Sequence, residues 1–300
     1  MNTYYKYTKF YGLDYLKDIT VRLSSPSSLN DPFEKYFTKE VRTELLNRAS
    51  EIFIDENKTG KTKSAPYINY KIISSIWAYG IVSLSETHRN LLMWSHYADE
   101  HRGICIGFNE DFMESEKERP IDKYNISHYK PVKVNYDSIR PEHYIHTNNQ
   151  NDEIRINLLN QLTTKSDVWI YEKEHRCIVP MPFADQVKIL NKNEVDEFAL
   201  DVLDAIKSDY CIDNMGNYTL NNGKNFCAAF SNEKNFAFLK KINPKNIKSI
   251  HLGCRINKLI QEAILADISN PSHPLHHIEI YQYEASDERF ELIAKKCHPL

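Results

Sequence analysis

Three short stretches carry the side chains best suited to chemistry: Tyr5-Lys6-Tyr7 near the start, Ser83-Leu84-Ser85, and Trp169-Ile170-Tyr171-Glu172-Lys173-Glu174. The lysine offers a point charge to a phosphate and needs no glycine loop to do so. Paired carboxylates accept protons and stabilise positive charge that develops in a transition state. Each motif also has a plainer reading. S-x-S is common, and E-x-E beside Lys173 and Arg176 is what a solvated acidic turn looks like. A shared site is favoured because the three follow one another on the element types such a site needs.

Those elements can be read from periodicity. Residues 3–7 and 20–23 read as strands with a short helix between them, and 81–85 as a buried strand that ends on the two serines. The acidic turn feeds a strand over 175–179, which Pro180 stops. Helical spacing marks 38–54, 68–79, 91–98, 152–162, 195–206 and 256–266. Further strands are expected at 103–108, 132–136, 247–252, 277–283 and 289–293, and an exposed connection at 57–63. Without a regular βαβ alternation the expected fold class is α+β, a mixed β-sheet core with flanking helices. The strands carrying Lys6, Ser83 and Glu174 must then be neighbours, since residues so far apart in sequence share a site only through paired or facing strands. The expected organisation is a catalytic core over 1–185 and a C-terminal α/β extension over 186–300 packed on it.

Two further segments bear on the site. The stretch SSPSSLNDPFE, residues 24–34, is dense in turn formers. Its Asn30 and Asp31 either bond their own backbone to make a rigid corner or face a ligand. In 91–98, Met93, Trp94, Tyr97 and Ala98 recur at helical spacing and should be core, while His96 or Arg102 borders a cleft, Arg102 as a phosphate clamp. His96 and His101 are five apart, on different helix faces, so no metal site is expected.

Composition excludes several classes. The 300 residues are 41% hydrophobic, enough for a core without metal or disulfides. The formal charge of −3 gives no overall positive field for nucleic acid or an anionic membrane. No apolar run approaches the roughly 20 residues that span a bilayer, and the first ten residues lack the apolar core of a signal peptide. A cytoplasmic location is expected. The six cysteines form no C-x-x-C pair and read as reduced and structural. Only 8 glycines occur, with no G-x-G-x-x-G or G-x-x-x-x-G-K, which removes the usual phosphate-cradling loops.

The order of first strand, S-x-S and E-x-E resembles that of the ADP-ribosyltransferases. The resemblance implies a split sheet and NAD as cofactor. It implies nucleotide binding by Lys6, Tyr7 and Ser83, and the His96 and Arg102 of the helical segment would then border the same pocket. Ser85 would orient the catalytic glutamate, Glu174 would face the positive charge that develops on the ribose, and Glu172 would take the proton of the incoming acceptor. Lys6 stands where that family has Arg or His. The whole chain also resembles the bacterial family known as domain of unknown function 2971, through YKY, SSPSSLNDPFE, SLSETHRNLLMWSHYADEHRGICIGF, WIYEKEHRCIVP and IKSIHLGCRI. Accessory genes of that kind fit toxin or phage-defence roles with a macromolecular acceptor. The competing expectation is a non-catalytic nucleotide-sensing or interaction protein.

Overall fold

The computed structural model describes residues 2–298 apart from 36, 57–77, 115–118, 121, 123, 214–215 and 232. The helix expected at 68–79 and the connection at 57–63 lie outside the described residues, except Ala78, in a turn, and Tyr79, which starts a strand. Strands β1 (Thr3–Thr8), β2 (Thr20–Leu23), β3 (Tyr79–Ser85), β4 (Ile104–Asn109), β5 (His128–Lys133), β6 (Asn135–Asp137), β7 (Thr164–Ser166) and β8 (Glu174–Pro180) come first along the chain. They are followed by β9 (Gln186–Ile189), β10 (Tyr210–Ile212), β11 (Tyr218–Leu220), β12 (Phe236–Lys241), β13 (Ile247–Leu252), β14 (Glu279–Ala285) and β15 (Leu292–His298).

The fold is mixed α+β. Eight strands form one sheet in the order β15-β14-β13-β4-β1-β3-β8-β5, antiparallel except for the β13–β14 pair. A second sheet runs β10-β11-β9-β12-β2, and β6 pairs with β7. Lys6, Ser83 and Glu174 therefore do lie on the neighbouring strands β1, β3 and β8. The stretch 186–300 makes no sheet of its own: β13 pairs with β4 in the large sheet, and β12 pairs with β2 in the second.

The register decides which residues meet. Tyr5 opposes Ser85, which opposes Glu174, and Ser83 opposes Arg176. Directly opposed residues of antiparallel strands share a face. Tyr5, Tyr7, Ser83, Ser85, Glu174 and Arg176 thus share one face of the large sheet. The other face carries Val82, Leu84, Cys177, Val179, Ile106 and Ile250, packed in one core with Val21, Leu23, Val187, Phe236 and Phe238 of the second sheet. Burying each such side chain contributes about 1.5–3 kcal/mol, which is why strands covered on both faces read as near-continuous apolar runs.

Helix Leu91–Tyr97 lies on the polar face, capped at its start by the Asn90 side chain, which accepts from the Leu92 and Met93 amides. Trp94 is fully buried and Met93 nearly so. The indole donates to the His88 carbonyl at 2.9 Å and meets the Tyr7 and Tyr283 rings edge-on at 5.2 and 5.3 Å. A left-handed run, Asp99, Glu100 and His101 with φ of 48°, 52° and 70°, turns the chain from this helix into β4. Space beside it is tight: a Cβ on Gly253 would stand 2.1 Å from the His101 carbonyl oxygen.

Several elements differ from expectation. The last strand is Leu292–His298, beginning near the end of the expected 289–293, and the stretch around the expected helix 195–206 also holds β9 to β12 and a helix Gly223–Phe230. β10 and β11 are three residues each, too short for a period-2 pattern to register. All six cysteines are free thiols. Among the described residues no helix is long and apolar enough to cross a membrane.

Candidate functional site

A chain of buried charges occupies the polar face. Arg176 donates through Nε to Glu174 Oε1 at 2.8 Å, through Nη2 to Glu174 Oε2 at 3.0 Å and also to Glu34 Oε1, and through Nη1 to the Leu162 carbonyl at 2.7 Å. Lys165 Nζ bridges the two turn carboxylates, at 2.6 Å from Glu172 Oε2 and 3.2 Å from Glu174 Oε2. Glu34, Lys165, Glu172, Glu174 and Arg176 are each no more than 5% exposed. Glu172 Oε1 accepts from the half-buried Tyr97 hydroxyl at 2.5 Å, and that hydroxyl accepts from exposed Asn30 at 2.8 Å. Through Tyr97 and Asn30 the network reaches solvent.

Local backbone chemistry explains the convergence. Residues Asp167–Glu172 form a 3-10 helix that Lys173 ends in the left-handed region at φ 46°, its amide donating to the Ile170 carbonyl at 3.1 Å. That reversal lets Glu172, on the helix, and Glu174, on β8, aim at the same ammonium. Glu34 arrives on another 3-10 turn, Pro32–Lys35, closed by Asp31, whose Oδ1 accepts from the Phe33 amide at 2.9 Å and whose carbonyl accepts from the Glu34 amide. The NDP segment is thus a rigid corner that also presents its acids. Leu162 belongs to the last turn of helix Gln150–Thr163, where carbonyls favour a cation.

The serines stand beside both glutamates. Ser85 Oγ donates to the Glu172 carbonyl at 2.7 Å, and Ser83 lies close enough to the Glu174 carboxylate to help keep it ionised. Burial alone would raise the Glu174 carboxyl, but Arg176, Lys165 and Ser83 outweigh it and hold it at about 2. Burial would lower the Lys165 ammonium, yet Glu174 and Glu172 keep it raised and charged. Burial, and then the Glu172 bond, raise the Tyr97 phenol, so it stays a donor.

The other candidate residues fall in different places. Tyr7 is buried on the site face, its hydroxyl donating to the Thr87 carbonyl at 2.9 Å. Lys6 is on the opposite face of β1, half-buried, and its ammonium reaches the Ser83 carbonyl at 3.0 Å; alternation along the strand puts it there. His96 is exposed, near the Tyr97 and Tyr171 rings at 6.3 Å. Arg102 is exposed and already paired with Glu100 at 2.9 Å and Asp99 at 3.5 Å. Sequence reasoning missed Lys165, Arg176, Glu34 and Tyr97 as members of the site. A charge-balance question asked of Glu174 at the head of an apolar strand would have pointed to Arg176, two residues on; nothing local points to Glu34.

A cavity of about 210 Å³ opens beside the network, bounded by Asp31, Phe33, Glu34, Arg140, Gln161 and Lys165. It brings a wall of the ion network to the surface.

On the same face lies a second cluster, the stacked rings of His88, His251 and Tyr281, with centroids 4.2 and 5.0 Å apart. His88 hydrogen-bonds Tyr283, and Ser249 Oγ is 3.0 Å from His251 Nε2. Burial, then the His88 and Arg89 charges, lower His251 to about 3, and burial lowers His88 to about 4. A histidine depressed in the folded state contributes stability that is intact above its unfolded value of about 6.5 and is lost as pH falls toward the folded value, because the unfolded chain protonates first. From pH 6.5 to 4.5 the fully enclosed His251 alone is expected to remove about 2–3 kcal/mol. Glu174 acts in a lower window, its contribution intact above about pH 4.5 and lost toward 2. Urea unfolding at several pH values checks this. His251→Phe should flatten the slope between pH 6.5 and 4.5, and an unchanged slope would refute the assignment.

No curated protein and no solved structure matches the chain. Residues 93–177, the stretch that contributes Trp94, Tyr97, Lys165, Glu172, Glu174 and Arg176, match the family model described as Protein of unknown function (DUF2971).

Proposed function

We propose that this chain is an NAD-consuming enzyme of the ADP-ribosyltransferase type that modifies a macromolecule, in the toxin or phage-defence setting its sequence suggests. The observation that supports it best is the meeting of the S-x-S strand with the E-x-E turn, where Ser85 Oγ holds the Glu172 carbonyl and Ser83 stands beside the Glu174 carboxylate. Glu172 is the carboxylate that meets the ligand, because its Oε1 leads through Tyr97 to solvent. Glu174 is held by two buried cations, Arg176 and Lys165, whereas Glu172 shares one of them and meets a phenol on its solvent side, so Glu174 acts as a positioning residue. When the glycosidic bond to nicotinamide breaks, the ring nitrogen keeps the electron pair and positive charge develops on the ribose beside Glu172. The acceptor then donates a lone pair to that carbon and its proton to Glu172.

The fit to NAD is partial. A cavity of about 210 Å³ falls below the roughly 300–1,000 Å³ of pockets that enclose drug-sized ligands, too small for a dinucleotide. Most of NAD would lie outside it, where the rings of Trp169, Tyr171 and His96 offer flat surfaces. Lys6, on the other face, gives it no phosphate contact.

A second reading, a nucleotide-binding protein without turnover, is favoured by the saturation of Glu174. Nicotinamide release from NAD by the purified full chain separates the two. Release above the uncatalysed rate supports the enzyme. Binding without release supports the second reading, and no binding at millimolar NAD, about −4 kcal/mol of affinity, removes both.

A further inference from the structure

The acids of the NDPFE turn are used only in part by the network. Asp31 is 1% and Glu34 5% exposed, and Asp31 Oδ2 and Glu34 Oε2 have no hydrogen-bond partner among the described residues. Both residues line the cavity. Asp31 stands just before the 3-10 turn that carries Glu34, and its carbonyl accepts from the Glu34 amide, which keeps the two acids close. Buried carboxylate oxygens left without a donor are strongly destabilising, so two of them beside one cavity point to a ligand that supplies donors.

We propose that this cavity binds the protonated amino group of a small aliphatic amine, held by Asp31 and Glu34. Charge selects the sign of the ligand. Among the described residues Glu34, Glu172 and Glu174 share two buried cations, Lys165 and Arg176, Asp31 adds a fourth buried acid beside them, and Arg140 on the cavity wall is turned to the Phe33 carbonyl; an uncompensated buried carboxylate is costly. Chemistry selects the group. An ammonium carries three N–H donors and one positive charge, which serves two acceptors from separate residues at once. Among the described residues no group of three or more His, Cys, Asp or Glu could hold a metal ion, which favours an organic cation. The remaining wall includes Phe33, Ile139 and Pro141, apolar surface for a few methylene groups. The inference stands whether or not NAD is turned over.

The test is calorimetric titration of the full chain, without NAD, with n-butylamine at neutral pH, beside 1-butanol as the neutral isostere and tetramethylammonium as a cation without donors. The amine should bind and the other two should not. Asp31→Asn keeps the Oδ1 acceptor for the Phe33 amide, so the turn persists, and should weaken the amine by about tenfold or more, the worth of one charged hydrogen bond. Absence of amine binding at millimolar concentration, equal binding of butanol or tetramethylammonium, or full affinity in Asp31→Asn would overturn the proposal. So would Mg²⁺ binding that excludes the amine, which would make the turn a metal site.

Discussion

Arg176→Met is expected to lower the unfolding free energy by about 3–5 kcal/mol, the usual effect of removing one partner from a buried ion pair. The reason is what remains. Without the guanidinium, Glu174 loses two donors, Glu34 loses its hydrogen-bonded ion-pair partner, and the Leu162 carbonyl loses its donor, all in a region almost closed to water. Methionine fills much of the volume but answers none of these groups. Arg176→Lys should fall between, since an ammonium keeps the charge but cannot span two carboxylates and a carbonyl with a planar fork. Urea denaturation reads both variants as a lower midpoint at unchanged slope. A loss below about 1 kcal/mol for the methionine variant would mean that the acids take up protons or water without strain, and that the network is looser than its distances imply.

On the proposed chemistry, Glu172→Gln should lower nicotinamide release by about 10²–10³-fold, the scale on which removing one preorganised charge or donor acts, while NAD affinity changes little. Glutamine still accepts from Tyr97 and keeps the shape of the side chain. Glu174→Gln should behave differently. It strips a charge that Arg176 and Lys165 both use, so it should lower stability more than Glu172→Gln, which leaves Lys165 paired with Glu174, and its rate loss should be partly recovered at lower temperature where the fold is intact. Rate and unfolding midpoint measured on the same samples separate the two roles. A Glu172→Gln variant as active as the wild type would sink the catalytic assignment, and a Glu174→Gln variant of unchanged stability would sink the positioning one.

Much of the frame was legible in the sequence. The apolar runs around Ile81–Ser85 and His175–Val179 are those of strands buried on both faces, and the spacing of Met93, Trp94 and Ala98 gives the buried side of a helix. Neighbourhood of β1, β3 and β8 followed from the order of the motifs. Register did not. A shift of one residue along β1 exchanges its faces, and only the pairing of Tyr5 with Ser85 assigns Lys6 to the far side from Glu174. The partners of the glutamates were hidden for another reason. Glu34 is 142 residues from the Arg176 it binds, and no local pattern marks two such positions as one site.

That separation governs how the molecule must assemble. The face that carries Glu174 needs β1 from the amino end, β3 from the middle, β8 after it and a turn at residue 34, so a fragment with a complete site must run unbroken from β1 to β8. Closing such long loops is unfavourable until the distant contacts form, which makes folding of this region slow. The stretch 93–177, expressed alone, would keep Glu172, Glu174 and Arg176 but lack β1, β3 and Glu34. It would present buried charges and open strand edges to water, a recipe for aggregation rather than a small working domain.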